Sequence, residues 1–106
     1  MKLDSEIEIL LVEDNLNDAE MAIRALKKYG IANHLLHLKD GLTALQYLFG
    51  TGEFEGRSTS NKPKVILLDL KMPKVSGIEV LEKIKSNELT RKIPVVVLTS
   101  SKKTRM

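Results

Sequence analysis

The stretch Lys64-Val65-Ile66-Leu67-Leu68-Asp69-Leu70-Lys71-Met72-Pro73 decides the fold. Four consecutive apolar residues, Val65 to Leu68, run into one acid, Asp69, and Met72-Pro73 stops the run. A short apolar segment ended by a breaker suits a strand buried on both faces, as in a parallel sheet covered by helices on each side. Ligands of such sheets bind at the carboxyl ends of the strands, which makes Asp69 the first candidate for chemistry. The bland alternative is an acid that starts a turn or caps the next segment. The chemical reading gains ground because a second strand also ends in acid.

That strand is Ile7 to Val12, broken only by Glu8 and followed by Glu13-Asp14-Asn15. Residues 16 to 29 carry Leu16, Ala19, Ile23 and Leu26 at helical spacing, with Asp18 and Glu20 in the first turns, where the helix dipole favours acids. Asn15 can cap this helix and Gly30 can end it. Asn33 to Leu38 is a weaker strand whose mixed polarity suits a sheet edge. His34 and His37 are three apart and would face opposite sides of it, so surface or strand-edge roles are expected rather than a shared metal.

Asp40-Gly41 opens a second helix with Leu42, Leu45, Leu48 and Phe49 on one side. Gly50 to Asn61 reads as a mobile loop. Its glycines are spaced G-x-G-x-x-x-G after a helix, whereas a dinucleotide loop needs G-x-G-x-x-G after a strand. Ser76-Gly77-Ile78-Glu79 matches a capping box and opens a third helix with Ile78, Leu81 and Ile84 facing inward. Ile93 to Leu98 is a fourth buried strand, with Pro94 tolerable near its start, and Thr99-Ser100-Ser101 follow. Strands alternating with helices predict an α/β domain, an open and mainly parallel sheet with right-handed crossovers.

Composition agrees with one small domain. The chain has 106 residues, and 42% hydrophobic content with only 4% aromatic implies a core of Ile, Leu and Val. No stretch approaches the ~20 apolar residues of a membrane span. The start, Met1 to Glu6, lacks the apolar core of a signal peptide, so a soluble cytoplasmic protein is the expectation. The absence of cysteine excludes disulfides and thiolate metal sites. A net charge of +3, with both signs interspersed and no aromatic residues among the basic ones, does not argue for nucleic acid.

Three strand ends therefore carry polar groups: Glu13-Asp14, Asp69 and Thr99-Ser100. If the first, third and fourth strands are neighbours, these groups meet on one rim. Carboxylates so close repel one another unless a cation neutralises them. Oxygen-only ligands suit Mg²⁺, which keeps waters and takes one or two carboxylates plus phosphate. A carboxylate beside Mg²⁺ is also a plausible nucleophile towards phosphorus, giving an aspartyl-phosphate, and the Thr99 hydroxyl could hydrogen-bond a phosphoryl oxygen. A set of unrelated strand-end caps is the competing account.

Val12-Glu13-Asp14-Asn15, Leu68-Asp69-Leu70-Lys71-Met72-Pro73 with Gly77, and Val97-Leu98-Thr99-Ser100 together resemble the receiver domain of two-component response regulators. The insertion after the second helix and the wording Leu68 to Lys74 are similar to the single-domain receivers associated with bacterial phytochromes. The resemblance spans residues 7 to 105. It implies a flavodoxin-like (CheY-like) sheet in the order 2-1-3-4. It makes Asp69 the phosphoacceptor for a phosphohistidine on a sensor histidine kinase and Thr99 the switch hydroxyl. Asp14 would hold Mg²⁺ directly, Glu13 largely through water, and the Lys71 backbone carbonyl would be a further ligand. Pro73 and Gly77 would shape the loop beneath the site, and Lys71 and Ser101 would influence how fast water attacks the phosphate.

The family's fifth βα unit, with its lysine, has no counterpart in residues 1 to 106, and Lys102 and Lys103 stand in the wrong place for it. The expectation is a receiver incomplete at its C-terminus, whose fourth strand is a sheet edge open to pairing with another chain. A homodimer through that edge, or by segment exchange, follows. Two other functions compete. One is a phosphorylation-independent binding module that keeps the acidic site. The other is an Mg²⁺-dependent phosphohydrolase with an aspartate nucleophile, which would want Asp-x-Asp where Asp69-Leu70-Lys71 places a lysine.

Overall fold

Four parallel strands form the sheet in a computed structural model that describes residues 7–31, 34–72 and 75–98. In chain order the elements are β1 (Ile9–Val12), α1 (Leu16–Lys28), β2 (Leu35–Leu38), α2 (Gly41–Phe49), a 3-10 turn (Gly52–Phe54), β3 (Val65–Asp69), α3 (Gly77–Ser86) and β4 (Val95–Leu98). The spatial order is β2-β1-β3-β4, as the resemblance implied. All of β1 is buried, in keeping with an interior strand, whereas β2 and β4 are the partly exposed edges. Among the described residues no helix is long and apolar enough to cross a membrane.

Side-chain alternation divides the core between the two faces of the sheet. Leu10, Val12, Leu38, Ile66 and Leu68 point to one face, where they pack with Ala44, Tyr47 and Leu48 of α2 and Val80 and Ile84 of α3. Leu11 and His37 alternate to the other face, where α1 brings Ala19. The caps are those the sequence implied. Asn15 Oδ1 accepts from the Asp18 amide at 2.9 Å, Asp40 Oδ1 accepts from Thr43 at 2.7 Å, and Ser76 and Glu79 close a reciprocal capping box. Gly30 follows α1 with a left-handed φ of 71°, and its amide donates to the Lys27 carbonyl.

Several expectations need correction. Ile78, which the sequence turns inward, is 54% exposed, and Leu16 and Leu42, placed at helical spacing with the apolar residues of their helices, are 62% and 53% exposed. In α2 the buried stripe is Gly41, Ala44, Tyr47 and Leu48, and in α3 it is Gly77, Val80 and Ile84. A glycine stands at the inward position of each first turn, so the neighbouring Leu42 and Ile78 rotate outward. A Cβ on Gly41 would lie 2.6 Å from Val80 Cγ2 and 2.8 Å from the Val75 carbonyl oxygen, closer than packed atoms tolerate. The strands are shorter than expected: β1 begins at Ile9, β2 at Leu35 and β4 at Val95. His34 precedes β2, so the opposite-face argument for the two histidines does not apply; its carbonyl instead receives the Glu8 and Ile9 amides.

The segment between α2 and β3 is organised rather than a loose excursion. Arg57 is buried, with Nε donating to the Tyr47 carbonyl at 2.7 Å and Nη1 donating to the carbonyls of Ser58 and Asn61. Its guanidinium lies 4.0 Å from the centre of the Tyr47 ring, and Phe54 meets that ring edge-on at 5.2 Å. A planar cation with five donors can gather several carbonyls at once and stack on an aromatic face. One arginine thereby ties the loop to α2.

Candidate functional site

The site forms where the chain leaves β1 in one direction and β3 lies beside it. Connections from β1 and β3 run to opposite sides of the sheet there, opening a crevice at the strands' carboxyl ends. Parallel pairing sets Val12 against Leu68, so Glu13 and Asp69 emerge side by side. One carboxylate oxygen from each of Glu13, Asp14 and Asp69 lies within 4.8 Å of the others. Glu13 and Asp69 are 4% and 6% exposed, and Asp14 faces solvent more than either.

Local hydrogen bonds hold the Glu13 and Asp69 carboxylates. The Asn15 amide donates to Glu13 Oε2 at 3.1 Å, while Asn15 caps α1 with its side chain, so one turn both starts the helix and orients the acid. The Lys71 amide donates to Asp69 Oδ1 at 3.0 Å. Gly77 lies directly beneath: a Cβ there would fall on the Asp69 carbonyl oxygen and Leu70 Cα, so only glycine lets α3 start so close to the Asp69 backbone. Burial pushes the Glu13 carboxyl up from 4.5 to about 7. The charge of Asp69, a hydrogen bond to it and the charge of Asp18 push the same way, against the Asn15 amide.

This donor set fits a hard divalent cation. All three groups offer oxygen and two are nearly withdrawn from water, and burial first, with the neighbouring Asp69 charge adding to it, raises the Glu13 carboxyl to about 7. Of the residues expected at the site, Glu13, Asp14 and Asp69 come together, and Lys71 joins them through its amide. Thr99, Ser100, Ser101 and Pro73 lie outside the described residues; Leu98, the residue before Thr99, pairs with Asp69.

Sequence reasoning missed His37. Its Nε2 lies 2.8 Å from the Glu13 carbonyl oxygen, across the β1–β2 boundary. No periodicity signals such a contact, because it depends on register between strands.

Comparisons with known proteins point the same way. Residues 9–106 match the family described as response regulator receiver domain. Response regulator Rcp1 of Synechocystis sp. is 47% identical over 93 residues, which make up 88% of this chain and 61% of Rcp1. The chain thus spans about three fifths of the length of the curated relatives it matches. The solved structure of the Mn²⁺-bound form of Rcp1 aligns with a TM-score of 0.79 at 45% identity, covering 90% of this chain and 66% of that one. The bacteriophytochrome response regulator AtBRR aligns with a TM-score of 0.83 at 47% identity, covering 93% and 70%. The phosphorylated cyanobacterial phytochrome response regulator RcpA aligns at 0.78 and 41% identity, covering 91% and 66%.

Proposed function

This chain belongs to the response regulator receiver domain family of two-component systems, and from that premise we propose that Asp69 accepts a phosphoryl group from a phosphohistidine of a sensor histidine kinase. Mg²⁺ is the cation of this reading, held by Glu13, Asp14 and Asp69 with the Lys71 carbonyl as a further ligand, and Thr99 is the switch hydroxyl. The observation that carries it is the convergence of three carboxylates within 4.8 Å at the rim, with the phosphoacceptor candidate buried among them. The Mn²⁺-bound form of Rcp1 and the phosphorylated form of RcpA support it by likeness.

In this reaction an Asp69 carboxylate oxygen attacks phosphorus. The new O–P bond forms as the N–P bond to the donor imidazole breaks, and the bonding pair leaves on the imidazole nitrogen. The Lys71 amide occupies Oδ1, which fixes the carboxylate plane and leaves Oδ2 to react. When bound, the divalent cation offsets negative charge on the carboxylates and the phosphoryl oxygens. Glu13 can give up its proton near neutral pH as that charge arrives, since its pKa is about 7.

A bacterial phytochrome is the kinase this reading favours, from the likeness to AtBRR and RcpA, in the cytoplasm. Homodimerisation through β4 belongs to it as well, because β4 is an edge of the described sheet and Val96 there is 48% exposed. Sedimentation equilibrium giving monomer mass at all concentrations would remove the dimer without touching the chemistry.

Intact mass before and after incubation with Mg²⁺ and acetyl phosphate tests the central step. The expected result is a gain of one phosphoryl group that Asp69→Asn does not show. No gain from folded protein would favour a binding module that works without phosphorylation.

A further inference from the structure

We propose that His37 is a positioning residue of the cation site: it holds the peptide plane between Glu13 and Asp14 through its bond to the Glu13 carbonyl. This rests on the reading of Glu13, Asp14 and Asp69 as cation ligands.

Strand pairing of β1 ends at Val12, yet the Glu13 backbone is still gripped on both sides by β2. Its amide donates to the Leu38 carbonyl at 3.1 Å, and its own carbonyl oxygen lies 2.8 Å from His37 Nε2. A carbonyl can only accept, so Nε2 carries a hydrogen and donates. The peptide unit is planar, so the Glu13 oxygen and the Asp14 nitrogen and Cα turn together. Fixing that oxygen therefore sets the direction in which Asp14 leaves the strand, and with it the angle between two of the three carboxylates. The Asn15 amide fixes the Glu13 side chain itself.

The His37 ring is in turn placed by its surroundings. It points to the α1 face of the sheet, opposite to Leu38, and lines a groove with Leu16, Ala19, Glu20 and Ile23. It is half-buried there, so a ring held by β2 and α1 transmits their position to the loop. Residues behind a metal's ligands commonly matter to affinity because they orient those ligands.

The test measures Mg²⁺ dissociation constants by isothermal titration calorimetry, with urea unfolding of the metal-free protein alongside. His37→Leu removes the donor, whereas His37→Gln places an amide N–H at similar reach. Loss of affinity on the order of tenfold is expected for His37→Leu, with His37→Gln within about twofold of the parent. If His37→Leu does not fold, His37→Asn, one methylene shorter, takes its place with the same expectation. Parental affinity in His37→Leu, or in the too-short His37→Asn where it stands in, or equal loss in His37→Gln, overturns the proposal. Asp14→Ala separates the two levels. If it too binds Mg²⁺ like the parent, the ligand assignment falls and the role of His37 with it; if it loses binding while His37→Leu does not, only the role of His37 falls.

Discussion

Replacing Glu13 by glutamine is expected to raise the stability of the metal-free fold above neutral pH. Glu13 is 4% exposed, and burial first, then Asp69, raise its pKa from 4.5 to about 7. Between those values the folded state binds more protons than the unfolded one, so stability falls as pH rises through that window, and the full penalty is present above about pH 7. At ~1.4 kcal/mol for each pH unit, a rise from 4.5 to about 7 caps the penalty at roughly 3 kcal/mol. Water reaches the cluster from the Asp14 side and screens part of it, which leaves about 1–3 kcal/mol to be recovered. Glutamine keeps an oxygen for the Asn15 amide and offers an N–H to Asp69.

Urea unfolding followed by far-ultraviolet circular dichroism suits a chain without tryptophan. Parent and Glu13→Gln are compared without metal at about pH 5 and about pH 8, on either side of most of the titration. The advantage of the variant is small at the lower pH and largest at the higher. Added Mg²⁺ narrows or reverses it if Glu13 is a ligand as proposed, because a cation that binds only the folded state stabilises that state by mass action and the variant lacks that carboxylate. Equal stability of the two proteins at the higher pH, or an advantage that shrinks as pH rises, refutes the reasoning.

Two further substitutions probe the supports of the site. Gly77→Ala pushes a methyl group into the Asp69 carbonyl and Leu70 Cα, so a loss of at least about 1–3 kcal/mol is expected from overpacking, measured by the urea midpoint together with slower labelling by acetyl phosphate. Arg57→Met leaves the carbonyls of Tyr47, Ser58 and Asn61 without their donor. The expected cost is about 2–4 kcal/mol, given ~1.5–3 kcal/mol for each bond to a charged group less the gain of an apolar replacement. Limited proteolysis is then expected to cut within residues 50–61 faster than in the parent, and an unchanged cleavage pattern would count against Arg57 as the anchor of that segment.

The sequence by itself determined the α/β class, the element order, the caps at Asn15, Asp40 and Ser76, and the candidate acids, because each is written locally. A continuous apolar run ending in an acid, or a polar residue three before a glutamate, needs no distant partner to be read. Helix rotation was legible only in part. Glycines at 41 and 77 carry no hydrophobic signal, yet they occupy the inward positions because backbone and Val80 approach there too closely for a side chain. Only the tertiary structure decided that Glu13 stands beside Asp69, that His37 holds the loop carrying Asp14, and that Arg57 gathers the 50–61 segment. Those relations join residues 10 to 56 positions apart or depend on which carbonyl a donor meets, and register and burial exist only once the strands have paired.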